Sequence, residues 1–481
     1  MRRFIVGLTL LSISTLSINP GDSAWGQSST NQQIESLQQQ LDQLRAETNL
    51  PAAGRSVVYQ QPAFPELAGV PTVPPLQPRP SAATAAAAAK PDEKKYPDYK
   101  ITGVFQLDTA RFAQSGESRL VLGDIQDGTG FRRARLAAAG NVSERGSYML
   151  EFDLAQGQAR FVDVWGQIKG TPLGNVRIGR FRQPFGMSEL TSVRELPFME
   201  RPTTVALSPF RQSGIMFSDT ALDQRATWAM SGFRTLSDNF GNVYGDNGGL
   251  GTAVRLTYLL RDCGDSNLIH LGVGHSYIDP ARDQLQLASQ DEVTVGQQPN
   301  LGPGGLSVFP IVFVPPFVQS GVFNLDHANL FNLAGAWSWG HTLVQAENRW
   351  ARIDLPTGET PTVQAGYVTL RHMLTGEVIP YNRSGAVFGR VTPHCPLDIA
   401  SGNWGAWETV AQVSTINLNP LFGLPGVTGP TGRLDSYSLG LNWYWWTNAK
   451  SQFEWVNGSL NHPGVGDSVS NTFAARVQFD F

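Results

Sequence analysis

The chain closes on Asn471-Thr-Phe-Ala-Ala-Arg-Val-Gln-Phe-Asp480-Phe481, and this stretch limits the fold more than any other. Phe473, Ala475, Val477, Phe479 and Phe481 fall on one face of an extended chain, and Thr472, Ala474, Arg476, Gln478 and Asp480 on the other. Side chains alternate across a strand, so one face suits an apolar phase and the other water. A strand that crosses a bilayer needs about 9–11 residues with apolar-out, polar-in alternation. An edge strand of a soluble sandwich alternates in the same way. Chain ends normally fray, so an aromatic residue at the tip favours a strand pinned in a closed sheet.

The same period recurs from Lys100 onward. Tyr148, Leu150 and Phe152 oppose Met149, Glu151 and Asp153; Phe331, Leu333 and Trp337 oppose Asn332, Ala334 and Ala336; Tyr437, Leu439, Leu441 and Trp443 oppose Ser436, Ser438, Gly440 and Asn442. Sixteen segments carry it: 100–112, 130–142, 147–155, 160–169, 175–182, 213–220, 225–234, 251–260, 267–278, 329–338, 341–350, 363–372, 405–417, 434–446, 450–458 and 471–481. An even count returns the last strand beside the first. The expected fold is all-β, a 16-stranded antiparallel transmembrane barrel preceded by a short helical segment. Composition agrees: 12 Trp, 25 Phe and 50 Gly stand beside only 16% charged residues, which suits aromatic girdles and tight turns. No stretch approaches the ~18 apolar residues of a membrane helix. The formal net charge of −4 gives no reason to expect a nucleic-acid partner.

Residues 1–26 read as an export signal: Arg2 and Arg3, an apolar run from Phe4 to Ile18, then small residues around Ala24 and Gly26. An uncleaved anchor is the competing reading. Ile34, Leu37, Leu41 and Leu44 then make two heptads, so 27–49 is expected to be a short coiled-coil-like helix that promotes oligomerisation. Two heptads are marginal alone, and a partly helical solvated tail remains open. Residues 50–98 are Pro- and Ala-rich, an extended linker. The barrel is expected over 99–481. Cys263 and Cys395 allow zero or one disulfide.

If the linker enters from the periplasm, even-numbered connections should be short and odd-numbered ones long. Those after strands 2, 4, 6, 8, 10 and 14 are short, and those after 1, 5, 7 and 9 are long; segment 373–404 is a long exception on the predicted periplasmic side. The connection 183–212 mixes Glu189, Arg194, Glu195, Glu200, Arg201 and Arg211 with apolar anchors. That mixture predicts a loop folded inward against the wall, narrowing a lumen otherwise wide enough for water.

Phe131-Arg-Arg-Ala-Arg-Leu136, Tyr148-Met-Leu-Glu-Phe-Asp153, Val176-Arg-Ile-Gly-Arg-Phe-Arg-Gln-Pro-Phe-Gly186 and Phe198-Met-Glu-Arg201 resemble the phosphate-selective porin O and P family. Phe388-Gly-Arg-Val391, Trp404-Gly-Ala-Trp-Glu408 and Leu439-Gly-Leu-Asn-Trp-Tyr444 resemble its second half. The resemblance implies a homotrimer of outer-membrane barrels, in contact with lipid and passing small anions without a cofactor. By the same resemblance Arg132 and Arg133 line the constriction, Asp163 faces them, and Arg194 and Arg201 on the inward loop add positive charge. Arg132 and Arg133 are neighbours, so a regular strand would send them to opposite faces unless a bulge re-aims one. Salt bridges to Glu151, Asp153 and Asp163 that brace the wall are the bland alternative for these arginines.

The polar faces otherwise carry scattered Arg225, Arg255, His270 and Arg371 rather than a basic ladder, which leaves a general porin as the alternative. His341, His372, His394 and His462 have no metal-ligand spacing, and no phosphate loop or nucleophile elbow occurs, so neither a metal site nor an enzyme is expected. A secreted β-sandwich that binds a partner is the remaining class.

Overall fold

The computed structural model describes residues 95–481 apart from 156–158, 236–239, 243–248 and 296–313. The expected signal, heptads and nearly all of the linker lie outside the described residues. Sixteen antiparallel strands close into a barrel. They are β1 (Lys100–Gln114), β2 (Gly128–Asn141), β3 (Gly146–Asp153), β4 (Arg160–Thr171), β5 (Gly174–Arg182), β6 (Arg211–Ala221), β7 (Ala226–Arg234) and β8 (Leu250–Asp262). The second half is β9 (Asn267–Asp279), β10 (His327–Trp339), β11 (Thr342–Asp354), β12 (Thr362–Met373), β13 (Ala406–Asn417), β14 (Arg433–Trp446), β15 (Ala449–His462) and β16 (Gly466–Asp480). Each of the sixteen alternating segments falls on one of these strands, overrunning its ends by at most two residues.

The terminal strand closes the sheet. β16 pairs with β1 from Val104 opposite Asp480 to Gln114 opposite Ser470. Phe481 extends the pairing: its carbonyl accepts from the Gly103 N–H at 3.0 Å, and its ring stacks on Phe105 with centroids 6.3 Å apart. Gly103 leaves room for this ring, because a Cβ at that position would sit 2.5 Å from it and push it aside. On β16, Phe473 and Phe479 are exposed on the outer surface while Thr472, Arg476 and Gln478 are buried inside. Phe331, Leu333, Trp337, Val368, Leu370, Leu439 and Phe453 share that outward face. Moving such a side chain from water into hydrocarbon favours assembly by about 1.5–3 kcal/mol.

Turns differ between the two ends. Residues 340–341 join β10 to β11 in a two-residue hairpin, with Gly340 at φ +57° as such a turn requires. Three long connections enter the lumen, 183–210 and 280–326 from the opposite end and 374–405 from the same end as this hairpin. Connection 183–210 places Phe185, Met187, Leu196, Phe198 and Met199 in buried positions. Connection 280–326 contributes a hairpin of Gln284–Ser289 with Val318–Asn324 and the buried stretch Asp291 to Val293. Connection 374–405 contributes a small hairpin, Tyr381–Asn382 with Val387–Phe388, whose Tyr381 and Phe388 are buried. Cys263 and Cys395 are free and exposed, so no disulfide joins them.

The inserted segments divide the interior. One apolar cluster joins Phe317, Val318, Phe323 and Leu325 to Ile353, Val363, Leu418, Leu434 and Leu460. A second joins Ile379, Tyr381, Phe388 and Val391 to Leu259, Leu268, Leu343 and Met373. Both clusters lie mainly against β8–β15. The inner faces of β2 and β5–β8 border open cavities.

Candidate functional site

The site starts from a register shift. Gln106 on β1 pairs with Arg133, and Leu107 pairs with Phe131, so Arg132 is the extra residue of a β-bulge. A bulge breaks the alternation, and Arg132 and Arg133 both reach the lumen. Both bind Glu200 of connection 183–210, Arg132 through Nε at 2.7 Å and Nη2 at 3.1 Å, and Arg133 through Nη2 at 2.9 Å. Arg476 of β16 donates to the same carboxylate at 3.1 Å and clamps Asp108 at 2.7 and 2.6 Å. Three guanidiniums thus share one carboxylate. Burial alone would raise Glu200, but Arg132, Arg133 and Arg476 outweigh it and hold the carboxyl well below the usual range.

Asp163 does not meet Arg132 or Arg133. It accepts from Arg211 Nε at 3.0 Å, pairing β4 with the start of β6. Arg135, at the parity of Arg133, pairs with Asp153 at 2.8 Å. Arg194 is held more loosely, 3.9 Å from Glu151 and 3.8 Å from Asp480.

Arg201 and Arg182 are different. Arg201 donates to the Ser188 carbonyl at 2.9 Å and the Thr191 carbonyl at 2.6 Å. Arg182 donates to the Glu189 carbonyl at 2.6 Å and to the same Thr191 carbonyl at 2.7 Å. Among the described residues, neither makes a salt bridge to a carboxylate. Burial, reinforced by Arg182, Arg133 and Arg211, pulls Arg201 well below the ordinary guanidinium range, with Glu200 offsetting only part.

Two cavities flank this pair. The first, about 450 Å³, carries Arg132, Arg133, Arg135, Arg201 and Arg211 with Glu200 and Glu292. The second, about 510 Å³, carries Arg177, Arg182, Arg255 and Arg390 with Glu195 and Asp219. Cations outnumber acids in both, and the Thr191 carbonyl lies between Arg201 on one side and Arg182 on the other.

Connection 183–210 is held by a buried network on β11. Glu347 accepts the Met187 and Ser188 N–H groups at 2.6 and 2.9 Å, and Arg349 binds Glu189 at 2.5 Å. The 374–405 insertion is tied by Arg255 to the Gly385 and Ala386 carbonyls, and by Arg390 to Glu195 and Asp480. Opposite the arginines, Asp291 accepts from Ser436 at 2.5 Å, and Glu292 from Ser438 at 3.0 Å, Gln412 at 2.8 Å and Ser414.

Residues 99–481 match the family described as phosphate-selective porin O and P. The chain belongs to that family. It is therefore an outer-membrane porin, a channel by family and fold. An uncharacterised protein of Caulobacter vibrioides is 24% identical to this porin over 470 residues, covering 93% of this chain and 88% of that protein. An anion-selective porin from Comamonas acidovorans superposes with TM-score 0.48 at 10% identity, over 79% of this porin and 99% of that chain. The outer-membrane channel DcaP of Acinetobacter baumannii gives TM-score 0.48 at 9% identity, over 80% of this porin and 97% of that chain.

Sequence reasoning did not single out Arg182, Glu200, Arg211 or Arg476 as site residues of the porin. Arg476 carried a usable signal: it is the one cation on the polar face of the closing strand, beside Asp108 across the β1–β16 pair. Glu200 carried none, because its partners lie on β2 and β16 and nothing local links it to them.

Proposed function

We propose that this porin lets small hydrophilic solutes diffuse passively across the outer membrane, with anions preferred. The observation that carries this reading is the pair Arg182 and Arg201, two lumen guanidiniums that, among the described residues, donate only to backbone carbonyls and face separate cavities. Fixed charge in a narrow, partly desolvated passage sets ion preference. A guanidinium fork matches the paired oxygens of a carboxylate or phosphate. In this reading Arg132, Arg133 and Arg194 supply the surrounding positive field, and Asp163 orients Arg211 at the rim of the first cavity.

A general porin is the second reading, favoured by the neutralisation of Arg132 and Arg133 on Glu200 and of Arg211 on Asp163. Reversal potentials of the purified protein in planar bilayers under a KCl gradient separate the two. Chloride preference supports the anion pore, equal permeability returns it to a general porin, and potassium preference rejects the assignment. A homotrimer is part of the proposal, supported by the two heptads at Ile34, Leu37, Leu41 and Leu44. So is a periplasmic position for that segment, supported by the short connections that, 374–405 apart, occupy one end of the barrel.

A further inference from the structure

Phe210 holds a strained backbone near the lumen. It sits at φ +44°, a left-handed conformation that a bulky side chain rarely adopts. The strain is held in place from both ends of the inserted connection. The Gln183 N–H donates to the Phe210 carbonyl at 2.8 Å, and the Gln212 side chain donates to the Pro209 carbonyl at 3.2 Å. Strain kept in this way marks a position where the conformation has a use.

Its effect here is directional. In a regular strand Phe210 and Arg211 would face opposite sides; with the left-handed φ both line the same cavity. The Arg211 guanidinium lies 5.2 Å from the Phe210 ring centroid and the Arg201 guanidinium 5.6 Å. The ring is half-buried, and Pro202, Val205 and Ala206 continue an apolar strip along the same wall. An aromatic surface is therefore set against two cations in a chamber of about 450 Å³. An inorganic oxyanion, only a few times the ~30 Å³ share of a water molecule, leaves such a chamber mostly filled with solvent and the strip uncovered. A ring bearing an acidic group covers the strip and places its charge on the guanidiniums.

We infer that this pore favours organic anions carrying a carboxylate on an apolar, ring-bearing body over inorganic phosphate, with Phe210 as the specificity-determining residue. The inference rests on the anion-pore reading and refines it. The test uses the full-length protein in planar bilayers, with benzoate, acetate or inorganic phosphate added to KCl. The readout is the concentration that half-blocks the chloride current. Benzoate should half-block at a concentration about tenfold below acetate and below phosphate, a gap of the size ring contacts supply. Phe210→Gly, which relaxes the backbone, should shrink the benzoate-to-acetate gap to within about twofold. Phe210→Trp should keep it. Should the glycine variant not reach its folded, heat-modifiable form, Val205→Ser is read in the same way. Phosphate blocking below benzoate, or a gap unchanged when Phe210 or Val205 is altered, overturns the inference. Chloride preference with no benzoate advantage sinks only this refinement; potassium preference in the KCl gradient sinks the anion pore as well.

Discussion

The inner wall formed by β10–β16 and the inner wall formed by β2 and β5–β8 belong to one sheet, yet they are used in opposite ways. The first is covered. Its inward carboxylates, Glu347 and Glu454, accept backbone N–H groups from connection 183–210, and its serines and Gln412 receive Asp291 and Glu292. The second is left open and studded with arginines, most of them paired, while Arg182 on that wall and Arg201 on connection 183–210 donate, among the described residues, to backbone carbonyls. The difference teaches how a wide barrel is narrowed without being filled. Acceptors on one wall fasten inserted chain through its own donors, and the inserted chain then turns its carbonyls and acids toward the cations on the other wall. Most buried polar groups on the fastening side are hydrogen-bonded, Asp291 Oδ2 and Glu454 Oε1 being exceptions, while the opposite side keeps an excess of positive charge.

The covered wall breaks most readily at Glu347. Glu347→Ala leaves Arg349 with one partner fewer and the Met187 and Ser188 N–H groups unbonded, a loss on the order of 3–5 kcal/mol for a broken buried pair. The temperature at which the folded barrel converts to the slow-migrating denatured form should fall sharply, and single-channel current should become noisy or larger. A barrel of unchanged heat stability would mean that the network does not anchor the connection.

Where the inserted connection faces the first cavity, Arg201→Gln should leave folding intact and lower the chloride-to-potassium permeability ratio by about fivefold, the effect of removing roughly 1 kcal/mol of Coulomb attraction. An unchanged ratio would return Arg201 to a bracing role.

The acid pair offers a pH test of the covering. Burial, with the Glu292 charge behind it, pushes Asp291 up to about 7 despite the Ser436 hydroxyl; burial likewise raises Glu292 against its own hydrogen bonds. A carboxyl raised in the folded state adds stability that is complete below its ordinary pKa near ~3.9 and is lost as pH rises through the folded value. The Asp291–Val295 stretch should therefore be docked at pH 5 and looser at pH 8, seen as greater protease cleavage within connection 280–326. The Asp291→Asn, Glu292→Gln double variant should flatten that dependence; an equally steep profile would place the titration elsewhere. The smallest effect is expected at Arg383, a partly exposed partner of Asp262 and Asp265. Arg383→Ala should cost under about 1 kcal/mol and slightly raise noise in the current, with heat stability nearly unchanged.

Much of the barrel was legible in the amino-acid order. Period-two alternation is a local property, so each of the sixteen strands, and the inward parity of Arg476, could be read from a few neighbouring residues. The aromatic ending was legible for the same reason: Phe481 has the outward parity of Phe479, and only a strand already paired on both sides keeps such a tip in place. The tertiary structure decided the rest. Adjacent Arg132 and Arg133 reach one side only because Gln106 and Leu107 pair across a bulge, and register is a property of two strands, not one. Glu200 gathers Arg132, Arg133 and Arg476 because a connection from β5 to β6 crosses to β2 and β16. Which wall is covered and which is left cationic follows from where three inserted segments find their acceptors, and those contacts join residues hundreds of positions apart, where no local pattern reaches.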